Sequence, residues 1–234
     1  MKKAAVYAAT GNMYRDMITA SKSLRANSSV EEIWYLTEHP VFPYSVPDYI
    51  HPVDVSRQRW FPSGCPNIYP RWTYMVLMKV VLTKLFPEHE RILMLDVDTI
   101  VERNIDELWD LDFEGCELAG VPEPVKSRPG KPYINCGVIL ENLKKLRESG
   151  TDEELIRRLN EQPYPFAEQD CINEVCGERI LKLSSIYNAN DYTVICKEPK
   201  IIHYAAYRRF REKPAFQKYA AMSWKEVERA RCGI

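Results

Sequence analysis

The sequence predicts an α/β fold with a mainly parallel central sheet, on three observations. Short apolar runs at 4–9, 32–37 and 91–95 alternate with stretches of helical pattern, the order expected of a wound sheet. The run Ile92-Leu93-Met94-Leu95 carries no charge, as a strand covered on both faces should. No repeat, low-complexity tract or linker divides the 234 residues, so 1–234 reads as one domain with ample core.

Taken in order, 4–9 is a strand, 16–25 a helix and 32–37 a second strand. Prolines punctuate 40–70 too often for a long element. A helix over 71–86 stops at Pro87, and 91–95 is the uncharged strand. Asn104 or Asp106 caps a short turn through Leu108-Trp109. Strands follow at 118–121 and 133–140, helices at 142–148 and 152–159, a short helix at 169–175 and a short strand at 180–183.

Composition excludes several classes. A net charge of −1 with 28% charged residues suggests neither a nucleic-acid binder nor an acidic tail. Seven cysteines, an odd number without C-x-x-C spacing, argue against a disulfide framework or structural zinc and for reduced thiols in a cytoplasm. The apolar start after Lys2-Lys3 stops at Thr10-Gly11-Asn12, too short for a signal peptide. No stretch approaches the roughly 18 apolar residues of a membrane span.

The chemistry concentrates at Asp96-Val97-Asp98, at the end of the uncharged strand. Alternation along an extended chain would aim both carboxylates the same way. Two converging carboxylates need a cation or a proton between them, and Mn²⁺ or Mg²⁺ suits oxygen ligands. Strand 4–9 leads into Thr10-Gly11-Asn12-Met13-Tyr14, where glycine lets backbone approach a ligand and an aromatic can stack on a base. A purely structural strand-to-helix turn accounts for the same residues. There is no G-x-G-x-x-G and no P-loop.

Lys79 interrupts an apolar helix and either snorkels or meets a phosphate or carboxylate. Arg71, after Tyr69-Pro70, is a second cation. Asn135 and Gly137 sit within a strand pattern, where glycine marks a bulge or a close approach by another group. Asn135 either hydrogen-bonds a hydroxylated ligand or is a satisfied buried amide. Glu168, Gln169 and Asp170 open a helix, a placement the helix dipole alone explains. His203, after Ile201-Ile202, is a structural histidine or a ligand for Mn²⁺.

In order along the chain, these pieces resemble the family 8 glycosyltransferases, the group that contains glycogenin and bacterial galactosyltransferases. The matched pieces are 9–14, Leu95-Asp96-Val97-Asp98, Tyr133-Ile134-Asn135-Cys136-Gly137-Val138, Gln169-Asp170-x-x-Asn173 and His203-Tyr204-Ala205. The resemblance implies a GT-A fold, a UDP-sugar donor carrying glucose or galactose, and a retaining transfer that needs Mn²⁺. By it, Asp96, Asp98 and His203 hold the metal. Tyr14 stacks on uracil with Thr10 and Asn12 nearby, and Asn135, Glu168, Gln169 and Asp170 line the sugar. Lys79 or Arg71 takes the family's basic position.

Arg209 reads as the lysine of the terminal H-x-G-x-x-K-P-W motif, with Ala206 at its glycine, and Pro122-Glu123 stands where a sugar-binding aspartate is usual. By the same resemblance Gln169 lies where the family's candidate stabiliser lies and would support same-face attack, with Glu168 as a second option, a carboxylate nucleophile. The acceptor is a carbohydrate, a lipid-linked molecule or a protein. Two other readings compete: a sugar-nucleotide binder without turnover, and a haloacid-dehalogenase-type phosphatase, which lacks its downstream G-D-x-x-x-D here. The segment 204–219 sets Arg208, Arg209, Arg211, Lys213 and Lys218 among Tyr207, Phe210 and Phe216. It reads as a solvated basic face or as a peripheral seat on an anionic membrane.

Overall fold

The first strand, β1 (Ala4–Ala8), is apolar on both sides: Ala4 and Val6 enter one core layer, Ala5 and Tyr7 the other. This computed structural model describes residues 2–69, 73–123, 133–190, 196–205 and 208–233. β2 (Glu32–Thr37) and β3 (Ile50–Asp54) add parallel strands on one side of β1, and β4 (Arg91–Leu95) adds another on the other side. β7 (Ile134–Asn142) runs antiparallel between β4 and β6 (Leu118–Pro122), and β8 (Ile180–Lys182) closes the order 3-2-1-4-7-6-8. The chain leaves β1 in one direction and returns beside it as β4. In such sheets the crevice at that reversal, outside the carboxyl ends of the strands, takes the ligand.

Helices cover both faces. The helix α1 (Tyr14–Ala26) packs on one face through Met17, Ala20 and Leu24. The other face carries α2 (Leu82–Leu85), α3 (Leu143–Ser149), α4 (Thr151–Glu161) and α5 (Ala167–Cys176). A separate ribbon pairs β5 (Thr99–Val101) with β9 (Ile201–His203).

Three expectations change. The proline-rich stretch holds β3, whose Pro52 is tolerated because β3 is the sheet's edge. The helix expected over 71–86 is a 3₁₀ helix over Tyr74–Val81 that relaxes into α2, while Pro70, Arg71 and Trp72 lie outside the described residues. At three residues per turn Val76, Lys79 and Leu82 share a face, so Lys79 is drawn into the core with Leu82. The basic segment after His203 is folded: α6 (Pro214–Ala221) and α7 (Trp224–Arg231) pack on α1.

Two bidentate ion pairs fasten that segment. Arg211 Nε donates to buried Asp16 at 2.7 Å, and Arg25 Nε to Glu228 at 2.8 Å. Phe210, Phe216 and Tyr219 are buried, so a membrane seat would rest on the charges alone. No described helix is long and apolar enough to cross a membrane.

Candidate active site

β4 ends at Leu95, and the chain turns at once: the Thr99 amide and hydroxyl both donate to the Asp96 carbonyl, at 3.2 and 2.7 Å. Strand alternation therefore does not align the two aspartates. The turn does. Thr99 pairs with His203 across the β5–β9 ribbon, and Tyr204 N donates to the Asp98 carbonyl at 3.0 Å. This brings His203 Nε2 to 3.3 Å from Asp98 Oδ1 and 3.7 Å from Asp96 Oδ2. One ligand atom from each of the three residues lies within 4.8 Å of the others. The aspartate side chains stay 34% and 21% exposed, so the cluster is reachable from solvent, whereas His203 is buried. Two hard oxygens and one imidazole form a donor set that suits Mn²⁺ and accepts Mg²⁺.

The ring of His203 lies against Gly137, where a Cβ would stand 2.0 Å from Cε1. The close approach expected at that glycine is thus made by the imidazole. Gly137 also accepts the Asp96 amide at 2.8 Å.

Lys79 does not snorkel. Its buried ammonium bridges Asp96 Oδ1 at 2.9 Å and Glu168 Oε1 at 3.0 Å. Burial by itself would pull that ammonium down, but the two carboxylates reverse the effect and hold it well above its usual range. Lys79 therefore steadies Asp96 instead of facing a phosphate freely. Burial raises the Glu168 carboxyl, and Lys79 only partly opposes it. Burial would also raise Asp98 and lower His203; their mutual attraction wins, lowering the first and raising the second.

The sign follows for pH. A divalent ion needs His203 Nε2 without its proton, and Asp98 holds that proton above the ordinary 6.5 of imidazole. Stability from the His203–Asp98 pair is fully present between 3.8 and 6.5, and is lost as pH rises through the raised imidazole value or falls through the lowered Asp98 value. Mn²⁺ affinity moves oppositely. Calorimetric titrations should show it rising by about tenfold per pH unit from pH 5.5 until the imidazole is neutral, with about one proton released. Affinity that stays flat across that window would remove His203 from the ligand set.

Gly11–Met13 forms a 3₁₀ turn at the carboxyl end of β1, and Thr10 and Asn12 hydrogen-bond to each other. Tyr14 is only 1% exposed: its hydroxyl accepts the Glu38 amide, and its ring packs on Phe42 and His39. A base could stack on it only after that packing opens. Arg71 lies outside the described residues.

The start of α5 is fully engaged. Gln169 Oε1 accepts the Cys136 amide at 2.9 Å, and its Nε2 donates to Tyr133 Oη at 3.0 Å. Asp170 accepts from Tyr133 Oη and caps the Phe166 amide. Asn173 pairs both backbone groups of Ile134. Ala167 holds φ 43°, a strained value for alanine that these bonds overdetermine. Asn135 is a satisfied amide: it donates to Glu123 at 2.7 Å and accepts the Gly137 amide at 3.0 Å.

The C-terminal cation is displaced from its expected place. Arg209 is 73% exposed and paired with Glu212. Counted from His203, the motif's lysine falls on Arg208, also exposed, and its glycine on Ala205; Ala206 and Tyr207 lie outside the described residues. Lys213 instead lines a cleft of about 130 Å³ with His203, Tyr204, Ala205 and Asn190. Lys213-Pro214 repeats the motif's K-P pair further along the chain, a signal in the sequence that points to it. Asn188, which holds His203, had no such signal.

Residues 43–214, ending on that Lys-Pro pair, match the description "Glycosyl transferase family 8". Glycosyltransferase GlyA of Streptococcus pneumoniae is 27% identical over 167 residues, 65% of this chain and 23% of the relative. Galactinol synthase 7 of Arabidopsis thaliana is 27% identical over 179 residues, 61% of this chain and 52% of the relative. The chain thus spans about half or less of the curated relatives it matches.

Among solved structures, GlyE of S. pneumoniae TIGR4 aligns with a TM-score of 0.72 at 21% identity, covering 97% of this chain and 62% of that one. The galactosyltransferase LgtC, solved with donor and acceptor sugar analogs, aligns at 0.72 and 19% identity, covering 96% and 99%. At those identities the likeness concerns the GT-A fold. The match over 43–214 takes in the Asp-x-Asp turn, the Gly137 strand, the start of α5 and His203, and on that match the chain belongs to glycosyl transferase family 8.

Proposed function

We propose that this protein is a metal-dependent retaining glycosyltransferase that moves a hexose, glucose or galactose, from a UDP-linked donor to a hydroxyl acceptor. The observation that carries this reading is the convergence of Asp96, Asp98 and His203 at the crevice between the carboxyl ends of β1 and β4. The names of two similar proteins, a galactinol synthase and a galactosyltransferase, support the hexose.

Asp96, Asp98 and His203 would hold Mn²⁺ or Mg²⁺, which when bound would supply electrostatic stabilisation of the departing diphosphate. Lys213, which lines the same cleft as His203, adds a cation there. Thr10, Asn12 and the Gly11 backbone take the nucleoside end, with Tyr14 behind them. Breaking the C1–O bond leaves positive charge on the sugar ring, which the oriented amide of Gln169 and its neighbour Asp170 offset from the start of α5. Glu168 is a poor nucleophile because Lys79 already occupies its Oε1. That favours same-face attack, with the acceptor proton passing to the leaving phosphate as the new C1–O bond forms. Asn135 orders the strand beneath the sugar. Seven free thiols fit a reducing cytoplasm.

A thermal-shift panel of nucleotide sugars with and without Mn²⁺ tests the reading. UDP-glucose or UDP-galactose with Mn²⁺ should stabilise the fold by about 2.7 kcal/mol at a hundredfold excess over Kd, and slow hydrolysis of the same donor should follow. Stabilisation without any turnover across many acceptors would leave a binding protein; no stabilisation by any nucleotide sugar would end the proposal.

A further inference from the structure

Beside the three ligands lies a run of buried amides that the transfer itself does not use. Asn188, wholly buried, accepts from His203 Nδ1 at 2.9 Å and donates from Nδ2 to Asn135 Oδ1 at 3.1 Å. Asn135 in turn donates to Glu123 Oε2 at 2.7 Å and accepts the Gly137 amide at 3.0 Å. Asn190 Nδ2 donates to Asn188 Oδ1 as well, at 3.1 Å.

The direction of every bond in this run is set at its ends. An ionised carboxylate only accepts, and a backbone N–H only donates. Turning the Asn135 amide over would face oxygen to the Glu123 carboxylate and nitrogen to the Gly137 N–H, two repulsions at once. Asn135 Oδ1 therefore points toward Asn188 and takes its N–H. That leaves Asn188 Oδ1 as the atom facing His203, where it can only accept. Nδ1 must then carry the proton, and Nε2 is the nitrogen left for Asp98 and a cation.

We propose that Asn188 is a positioning residue, directed through Asn135 by Glu123, which holds His203 in the Nδ1–H tautomer so that Nε2 serves as the metal ligand. The inference rests on the metal-dependent reading above and adds residues far apart in sequence to it. It also gives a task to Glu123, just past the end of β6. Partners that orient a ligating histidine typically matter 10- to 100-fold for metal affinity.

The test uses protein with ¹⁵N-labelled histidine, of which there are four, and Zn²⁺ as a diamagnetic stand-in. Long-range ¹H–¹⁵N spectra should show His203 protonated at Nδ1 and coordinated through Nε2. Calorimetry with Mn²⁺ should find Asn188→Leu weakened 10- to 100-fold. Asn188→Asp, which keeps an acceptor for Nδ1–H, should lie within a few-fold of wild type, and Glu123→Ala should fall between them. A mere packing role would not separate Asp from Leu in this order. Coordination through Nδ1, or folded Asn188→Leu and Glu123→Ala proteins that bind Mn²⁺ as tightly as wild type, would overturn the relay while leaving the functional reading intact. A wild-type protein that binds no divalent ion would overturn both.

Discussion

Replacing Gly137 by alanine is expected to weaken Mn²⁺ binding by about 100-fold or more, the scale on which disturbing a ligating histidine acts. The added methyl would lie 2.0 Å from His203 Cε1 and within 2.7 Å of both ring nitrogens. Contacts that short do not survive, so the ring or the strand must move. The strand is held on both sides, because Gly137 accepts the Asp96 amide and donates to Asn135. The ring must yield, and yielding breaks its 2.9 Å bond to Asn188 and draws Nε2 away from Asp98. Overpacking of this kind costs about 1–3 kcal/mol. Calorimetry and thermal unfolding read the two effects separately. A variant that melts lower yet binds Mn²⁺ normally would show that the imidazole is not a ligand.

The second large effect concerns stability. Lys79→Met should lower the unfolding free energy by about 3–5 kcal/mol, since it strands the buried Glu168 carboxylate and removes a partner from Asp96. In a chain of this size each kcal/mol shifts the midpoint by about 2–4 °C, so the drop is on the order of 10 °C. Glu168 is already raised by burial, and without Lys79 it rises further. A carboxyl raised on folding binds its proton more tightly in the native state, so the deficit should shrink as pH falls from 7 toward 5. Adding Glu168→Gln should restore much of the loss, because the pair is then removed together. Denaturant unfolding of the two variants decides this. If the double variant is no more stable than the single, packing and not charge explains the role of Lys79.

How legible each part was depended on how local its cause is. β4 was readable because an uncharged apolar run has few other uses, and β2 because its pattern is bounded by turns. β5 and β9 were not: three residues each carry no periodicity, and their pairing joins segments far apart in the chain. The proline that argued against β3 was decisive only for an interior strand, and its edge position is a property of the assembled sheet. The sequence leaves Lys79 either to snorkel or to meet a phosphate or carboxylate; only the fold brings it to Asp96 and Glu168. Spacing from His203 points to the exposed Arg208 and its neighbour Arg209, and spacing fails where a loop changes length. The cleft selects Lys213.

By itself the sequence determined the α/β class, the family, the acidic pair and the histidine as candidates, because those rest on short apolar periods and residue types in order. Only the tertiary structure decided that a turn, and not strand alternation, aligns Asp96 with Asp98, and that an imidazole rests on a bare glycine. The same holds for the Asn188 hydrogen bond to Nδ1. Each of these is a contact of a few ångströms between residues remote in the chain, set by sheet order and packing, and neither periodicity nor composition encodes such a distance.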